Sequence, residues 1–222
     1  MFCLNKNFLT VPFFSFHNSG SDKIDSEKRN GFLFRPDHFC IMAWVVWFTG
    51  LPGCGKTTIA ERVKLKLSEN GIKAKILQLD EIRKVITPQP KYTEEEREIV
   101  YASLAYMAKL LAEERVNVII DATANRRRYR DLARKLIPIF GEVFVRAPLE
   151  TCMDREAKRK AKFAPKEIYK NAVREKSNVP GVNVAYEEPN SPEIEVDTTI
   201  LSSEESARFI AERILDHFGL EN

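Results

Sequence analysis

The chain has 222 residues, 44% of them hydrophobic and 30% charged, which is enough to bury one sizeable core and points to one α/β unit rather than two. Its 35 basic and 32 acidic residues leave a net charge of +3, too balanced for bulk electrostatics to hold nucleic acid or a membrane surface, so any attraction for anions is local. Four cysteines (Cys3, Cys40, Cys54, Cys152) show neither CxxC nor Cys/His spacing, which argues against a disulfide framework or a zinc site and fits a reducing cytoplasm.

Residues 1–41 differ in character from the rest, with Phe13, Phe14 and Phe16 set among Pro12, Asn18 and Gly20 and followed by a polar run over 21–30. They read as an N-terminal extension, disordered or an artefact of start-site choice, with the folded domain at 42–222. The apolar piece over 8–16 has no small-residue cleavage site and is too short to span a membrane.

The nearly all-apolar run 44–48, ending at Thr49 and Gly50, predicts a strand buried on both faces of a parallel sheet. After a glycine-rich loop, Ile59, Val63 and Leu67 recur at helical spacing until Asn70 and Gly71, a favoured helix C-terminal pair. Residues 73–79 read as the second strand, with 80–85 leaving its C-terminal end. Thr93 and Glu96 have the spacing of a capping box, opening a helix to about Glu114 with Ile99, Leu104, Met107 and Leu111 facing inward. Strand 116–120, helix 126–136, strand 142–145, a basic helix 149–162, a further helix 168–176, strand 194–198 and a Ser202-capped helix to about Phe218 complete the pattern. About five strands alternating with helices predict a doubly wound parallel sheet, because parallel neighbours need crossovers.

Gly50, Leu51, Pro52, Gly53, Cys54, Gly55, Lys56 and Thr57 satisfy G-x-x-x-x-G-K-[ST]. Between a strand and a helix, this spacing lets main-chain N–H groups of 50–58, Cys54 and Thr58 among them, turn towards the phosphates of ATP. Lys56 then reaches the β- and γ-phosphates and the Thr57 hydroxyl ligates Mg²⁺. The fold class is therefore the P-loop NTPase fold, and the function phosphoryl transfer.

Asp80 stands just past the second strand with Arg83 one helical turn on, which suits a base and metal helper beside a holder of an anionic acceptor group; a plain helix cap is the blander alternative. Asp121 closes the third strand and reads equally as a cap or a metal helper. Arg126, Arg127, Arg128 and Arg130 crowd a helix start, where the dipole disfavours cations unless anions partner them, and an anionic substrate would supply those partners.

With these residues placed, 44–198 resembles the adenylylsulfate (APS) kinase family, which phosphorylates the ribose 3′-hydroxyl of adenosine 5′-phosphosulfate during sulfate assimilation. The likeness rests on the phosphate loop, Leu79 to Arg83 in sequence, Tyr92 with Arg97, Arg127 and Arg130, the Cys152 and Arg155 segment with Lys158, and Gly181, Asn183, Tyr186 and Pro189. It implies Asp80 as base, Arg83, Arg97 and Lys158 as contacts to APS, Tyr92 as an aromatic platform, Arg127 as a basic contact, Arg155 at the nucleotide lid, and Mg²⁺ at Thr57 with Asp80. Several positions depart from the family pattern: Gln78 and Leu79 stand in an Asp-Gly-Asp segment, Thr123, Ala124 and Asn125 replace Ile-Ser-Pro, Val100 replaces an Asn, and Val179 replaces an adenine-stacking Phe.

The expected partner is thus APS, with no membrane and no nucleic acid, and the assembly is left between monomer and homodimer. Two alternatives stay open: a P-loop kinase acting on seryl-tRNA or another hydroxyl acceptor, and a nucleotide-binding module without transfer activity.

Overall fold

The computed structural model describes residues 43–159, 163, 165, 167–175 and 178–220, so the extension read into 1–41 lies outside the described residues. The elements run β1 (Val45–Thr49), α1 (Lys56–Glu69), β2 (Ala74–Gln78), α2 (Leu79–Ile86), α3 (Glu94–Glu113), β3 (Asn117–Asp121), α4 (Arg127–Leu136), β4 (Phe140–Arg146), α5 (Leu149–Lys158), α6 (Ile168–Glu175), β5 (Ile194–Asp197) and α7 (Ser203–His217). All strand pairs are parallel, in the order β2-β3-β1-β4-β5.

β1 sits at the centre of that order, which explains its unbroken apolar run. Alternate side chains of a strand point to opposite faces, so Trp44, Val46 and Phe48 enter a core with α1 and α7 while Val45 and Trp47 enter a second core with α3 and α4. β2 is an edge strand, and its Lys75 is exposed accordingly. Trp44 stacks on Phe218 just past α7, with ring centroids 5.7 Å apart.

Two local expectations change. The inward face of α3 is Arg97, Val100, Tyr101, Leu104, Ala105, Ala108 and Ala112, whereas Ile99 is 69% exposed. At ~100° per residue Ile99 stands about 140° round the helix from Leu104, so the two cannot share a face. The basic helix α5 stops at Lys158, since Arg159 is extended; residues 160–162 of the expected helix lie outside the described residues. Among the described residues no helix is long and apolar enough to cross a membrane.

The strand order places the loop sites. After β1 the chain moves to the β2 and β3 side, then returns past β1 to β4 and β5. Ligands in open α/β sheets bind where the order reverses, outside the carboxyl ends of the strands. The segments leaving β1, β2 and β3 all converge there.

Candidate active site

Residues 50–55 wrap from the end of β1 into α1. Gly50, Gly53 and Gly55 have φ of 147°, 85° and 106°. A Cβ at Gly50 would lie 2.3 Å from the Val145 carbonyl oxygen, and one at Gly53 2.3 Å from that of Cys152. The first two glycines are thus needed for packing against β4 and α5 as well as for the turn. Lys56 is buried and donates to the Gly50 and Leu51 carbonyls at 3.0 and 2.9 Å, so the loop closes round its ammonium group. Cys54 is fully buried in the core. Its thiol belongs to the packing and accepts from Lys56 Nζ at 3.7 Å.

The Thr57 hydroxyl donates to Asp121 Oδ2 at 2.7 Å, joining the start of α1 to the end of β3. Asp121 is buried, and burial raises its carboxyl above the ordinary range, while Lys56 and the Thr57 hydrogen bond pull it back. Of the two expected roles, the cap is not seen among the described residues: Asp121 accepts from Thr57 beside the phosphate loop.

A cavity of about 730 Å³ opens beside the loop, lined by Gly53, Gly55, Lys56, Thr57 and Thr58 on one side and by Asp80, Arg83, Tyr92 and Arg97 on the other. Asp121, Arg155, Phe163 and Val179 also line it. Its volume lies in the range of small-ligand sites. Asp80 belongs to the first turn of α2, which begins directly at the end of β2. Arg83, one turn on, pairs with Glu96 at 2.8 Å and lies over the Tyr92 ring, 5.0 Å from its centroid.

Glu96 also explains why the expected capping box forms only in half. Thr93 Oγ1 accepts from the Glu96 N–H at 3.2 Å, but the Glu96 carboxylate accepts from the Lys91 N–H and Arg83 instead of turning back to Thr93. Burial alone would raise the Glu96 carboxyl; those hydrogen bonds hold it below its usual range. Arg97 is buried and donates to the carbonyls of Tyr92 and Asn178 and to Asn125 Oδ1. Arg155 donates twice to Thr198, at 2.7 and 2.8 Å, and Thr198 donates to the Cys54 carbonyl, so Arg155 is tied to the phosphate loop through one residue.

Two expected contacts are not brought in. Arg127 lines no part of the cavity and donates to Asn190 Oδ1 at 2.6 Å and the Glu188 carbonyl. Lys158 is exposed on the last turn of α5, and its neighbour Arg159 lines the cavity instead. The arginine cluster finds its anions within the chain: Arg126 pairs with Glu187 and Glu94, Arg128 with Glu94 and Glu98, and the fully buried Arg130 with Glu142. No substrate is needed to balance that helix start. Asn178 and Phe163 carry no motif signal, and Glu96 was legible only as a helix-capping residue through its spacing from Thr93.

Comparison with known proteins points to one family. The family model for adenylylsulphate kinase matches residues 42–197. A probable adenylyl-sulfate kinase of Pyrococcus abyssi is 38% identical over 168 residues, 75% of this chain and 92% of the relative, and an adenylyl-sulfate kinase of Halothermothrix orenii is 36% identical over 75% and 86% of the two chains. The structure of the Mycobacterium tuberculosis APS kinase in complex with AMPPNP and APS superposes with a TM-score of 0.69 at 30% identity, covering 78% of this chain and 98% of that one. The chain belongs to the adenylylsulphate kinase family.

Proposed function

We propose that the chain transfers the γ-phosphoryl group of ATP to the ribose 3′-hydroxyl of adenylyl sulfate, giving 3′-phosphoadenylyl sulfate and ADP. The observation that carries this reading is a shared cavity: Lys56 and Thr57 of the phosphate loop line the same space as Asp80, Arg83, Tyr92 and Arg97. A nucleotide bound by the loop and an acceptor held by the second group would meet there, and positioning of this kind supplies much of the rate in phosphoryl transfer.

In this reading the amides of 53–58 and Lys56 hold the β- and γ-phosphates, with the positive end of α1 behind them. The Thr57 hydroxyl and the Asp121 carboxylate, 2.7 Å apart, with Asp80 lining the same cavity, form an all-oxygen donor set suited to Mg²⁺. That cation, when bound, neutralises charge on the phosphates. Asp80 accepts the 3′-hydroxyl proton as the oxygen bonds to the γ-phosphorus and the bond to the β–γ bridging oxygen breaks. Tyr92 offers its ring to the acceptor's adenine, and Arg83 and Arg97 face its phosphosulfate group. Arg155 steadies the nucleotide side. Arg127 and Lys158 are left out of this site. The free thiols of Cys54 and Cys152 suit a reducing cytoplasm.

The alternative acceptor, seryl-tRNA, needs a basic surface beyond the cavity, and the pairing of Arg126, Arg128 and Arg130 with internal carboxylates removes the residues that suggested one. The test is incubation with ATP, Mg²⁺ and adenylyl sulfate, with product separated by ion exchange. Asp80→Asn is expected to lower turnover by about two to four orders of magnitude, the usual weight of a general base. Wild-type turnover with another hydroxyl acceptor but none with adenylyl sulfate would refute the substrate, and full activity of Asp80→Asn would refute the base.

A further inference from the structure

We infer that Asn125 is a positioning residue for acceptor recognition, which it serves by fixing the plane of the Arg97 guanidinium; this rests on the reading of Arg97 as an acceptor contact. Asn125 is fully buried, and its hydrogen bonds run between the acceptor side of the cavity and the chain over 185–187. Its Oδ1 accepts from Arg97 Nη1 at 3.2 Å, its Nδ2 donates to the Ala185 carbonyl at 3.1 Å, and its own carbonyl accepts from the Glu187 N–H at 2.8 Å. The two side-chain bonds need opposite ends of the amide, so they fix which end faces Arg97.

A guanidinium has five N–H donors in a rigid plane. In Arg97 the Nε–H goes to the Tyr92 carbonyl, one from Nη1 to Asn125 and one from Nη2 to the Asn178 carbonyl. Among the described residues one N–H on each terminal nitrogen has no partner, which leaves two donors on one rigid plane for an oxyanion. Arg97 lines the cavity, so that pair has somewhere to act. Two of its three holders are main-chain carbonyls of the segments that carry Tyr92 and Asn178; Asn125 is the side chain that sets the plane from the far side.

The backbone supports the same role. Ala124 has φ of 44°, the left-handed region that an L residue occupies at a cost, and strain held in place by its surroundings points to function. The turn is held from several sides: the Ala124 N–H donates to the Tyr101 hydroxyl at 3.1 Å, its carbonyl accepts from Arg130, and the Thr49 hydroxyl donates to the Thr123 carbonyl at 2.6 Å. The next residue, Asn125, is thereby placed against Arg97 with little freedom.

The experiment compares wild type, Asn125→Ala, Asn125→Asp, Arg97→Ala and the double variant Asn125→Ala with Arg97→Ala. Steady-state kinetics with adenylyl sulfate and ATP is paired with the ¹⁵N–¹H signal of the Arg97 side chain. Loss of a hydrogen bond to a charged group predicts that Asn125→Ala raises KM for adenylyl sulfate about tenfold, while KM for ATP changes less than about twofold. The isosteric Asn125→Asp keeps the volume but neutralises Arg97, so it shifts the same constant and no other. In the Arg97→Ala background the Asn125→Ala effect is expected to vanish, because a residue acting through another has nothing to act on once that partner is gone.

Additive effects, or equal changes in both KM values, would overturn the inference and leave Asn125 as a structural tie. If wild type does not turn over adenylyl sulfate at all, the functional proposal falls, and the spectrum decides this one: a sharp Arg97 Nε–H signal in wild type that broadens in Asn125→Ala supports it, and identical signals refute it.

Discussion

Asp121 and Gly53 show how single residues set the site. Burial raises the Asp121 carboxyl, with Lys56 and Thr57 pulling the other way. A carboxyl whose pKa rises on folding stabilises the fold below its unfolded pKa, and that contribution is lost as pH climbs through the folded value. Keeping Asp121 ionised in this buried position therefore works against stability. Asp121→Asn keeps an acceptor for Thr57, so it is expected to raise the Tm of the free protein near neutral pH, less in acid, while turnover falls. Thermal unfolding near pH 7 and pH 4, beside the kinase assay, checks both; a drop in Tm at neutral pH would show that attraction to Lys56 outweighs desolvation. At Gly53 a methyl group meets the Cys152 carbonyl and φ stays at 85°. Gly53→Ala should cost at least about 2 kcal/mol in urea unfolding and weaken ADP binding measured by calorimetry; an unchanged midpoint would mean that α5 can shift freely.

At the scale of elements, the α4 start shows why local charge reading misleads. Five residues, 126–130, hold four arginines beside a helix N-terminus, and from local sequence an outside anion looks necessary. The carboxylates that answer them come from α3, β4 and the chain near Glu187, all distant in sequence. Arg130 and Glu142 are the buried pair of this set, and burial raises the Glu142 carboxyl against the pull of Arg130. Removing one partner of such a pair strands the other charge, so Glu142→Gln is expected to destabilise by about 3 kcal/mol. Ile99→Ser, on the exposed side of α3, should change stability by less than about 0.5 kcal/mol. Equilibrium denaturation of the two variants makes the contrast; similar losses would contradict the assigned faces of α3 and β4.

Over the whole molecule, stability is shared by two cores on opposite faces of one sheet. α7 closes one of them, with Ala207, Ile210 and Ile214 fully buried and Phe218 stacked on Trp44. A chain ending at Leu201 would expose that face of β1 and α1, and it is expected to lose cooperative unfolding in calorimetry. The family match begins at residue 42, and we propose 42–222 as the kinase domain. A chain beginning at Met42 should then keep both the transition and ADP binding. A Met42 start that abolishes nucleotide binding would sink the proposed domain boundary.

The sequence by itself determined the features that depend on neighbours along the chain. The phosphate loop was legible because three glycines, Lys56 and Thr57 must stand at fixed spacing between a strand and a helix. The order of strands and helices was legible because periods of two and about 3.6 leave their mark on apolar positions. Only the tertiary structure decided which groups face one another. Thr57 meets Asp121 across 64 positions, Arg97 meets Asn125 across 28, and Arg127 turns to Asn190 across 63. Such meetings follow from the sheet order β2-β3-β1-β4-β5 and the paths of the loops above it. No residue pattern encodes them locally, because a side chain's partner is set by where the backbone carries it.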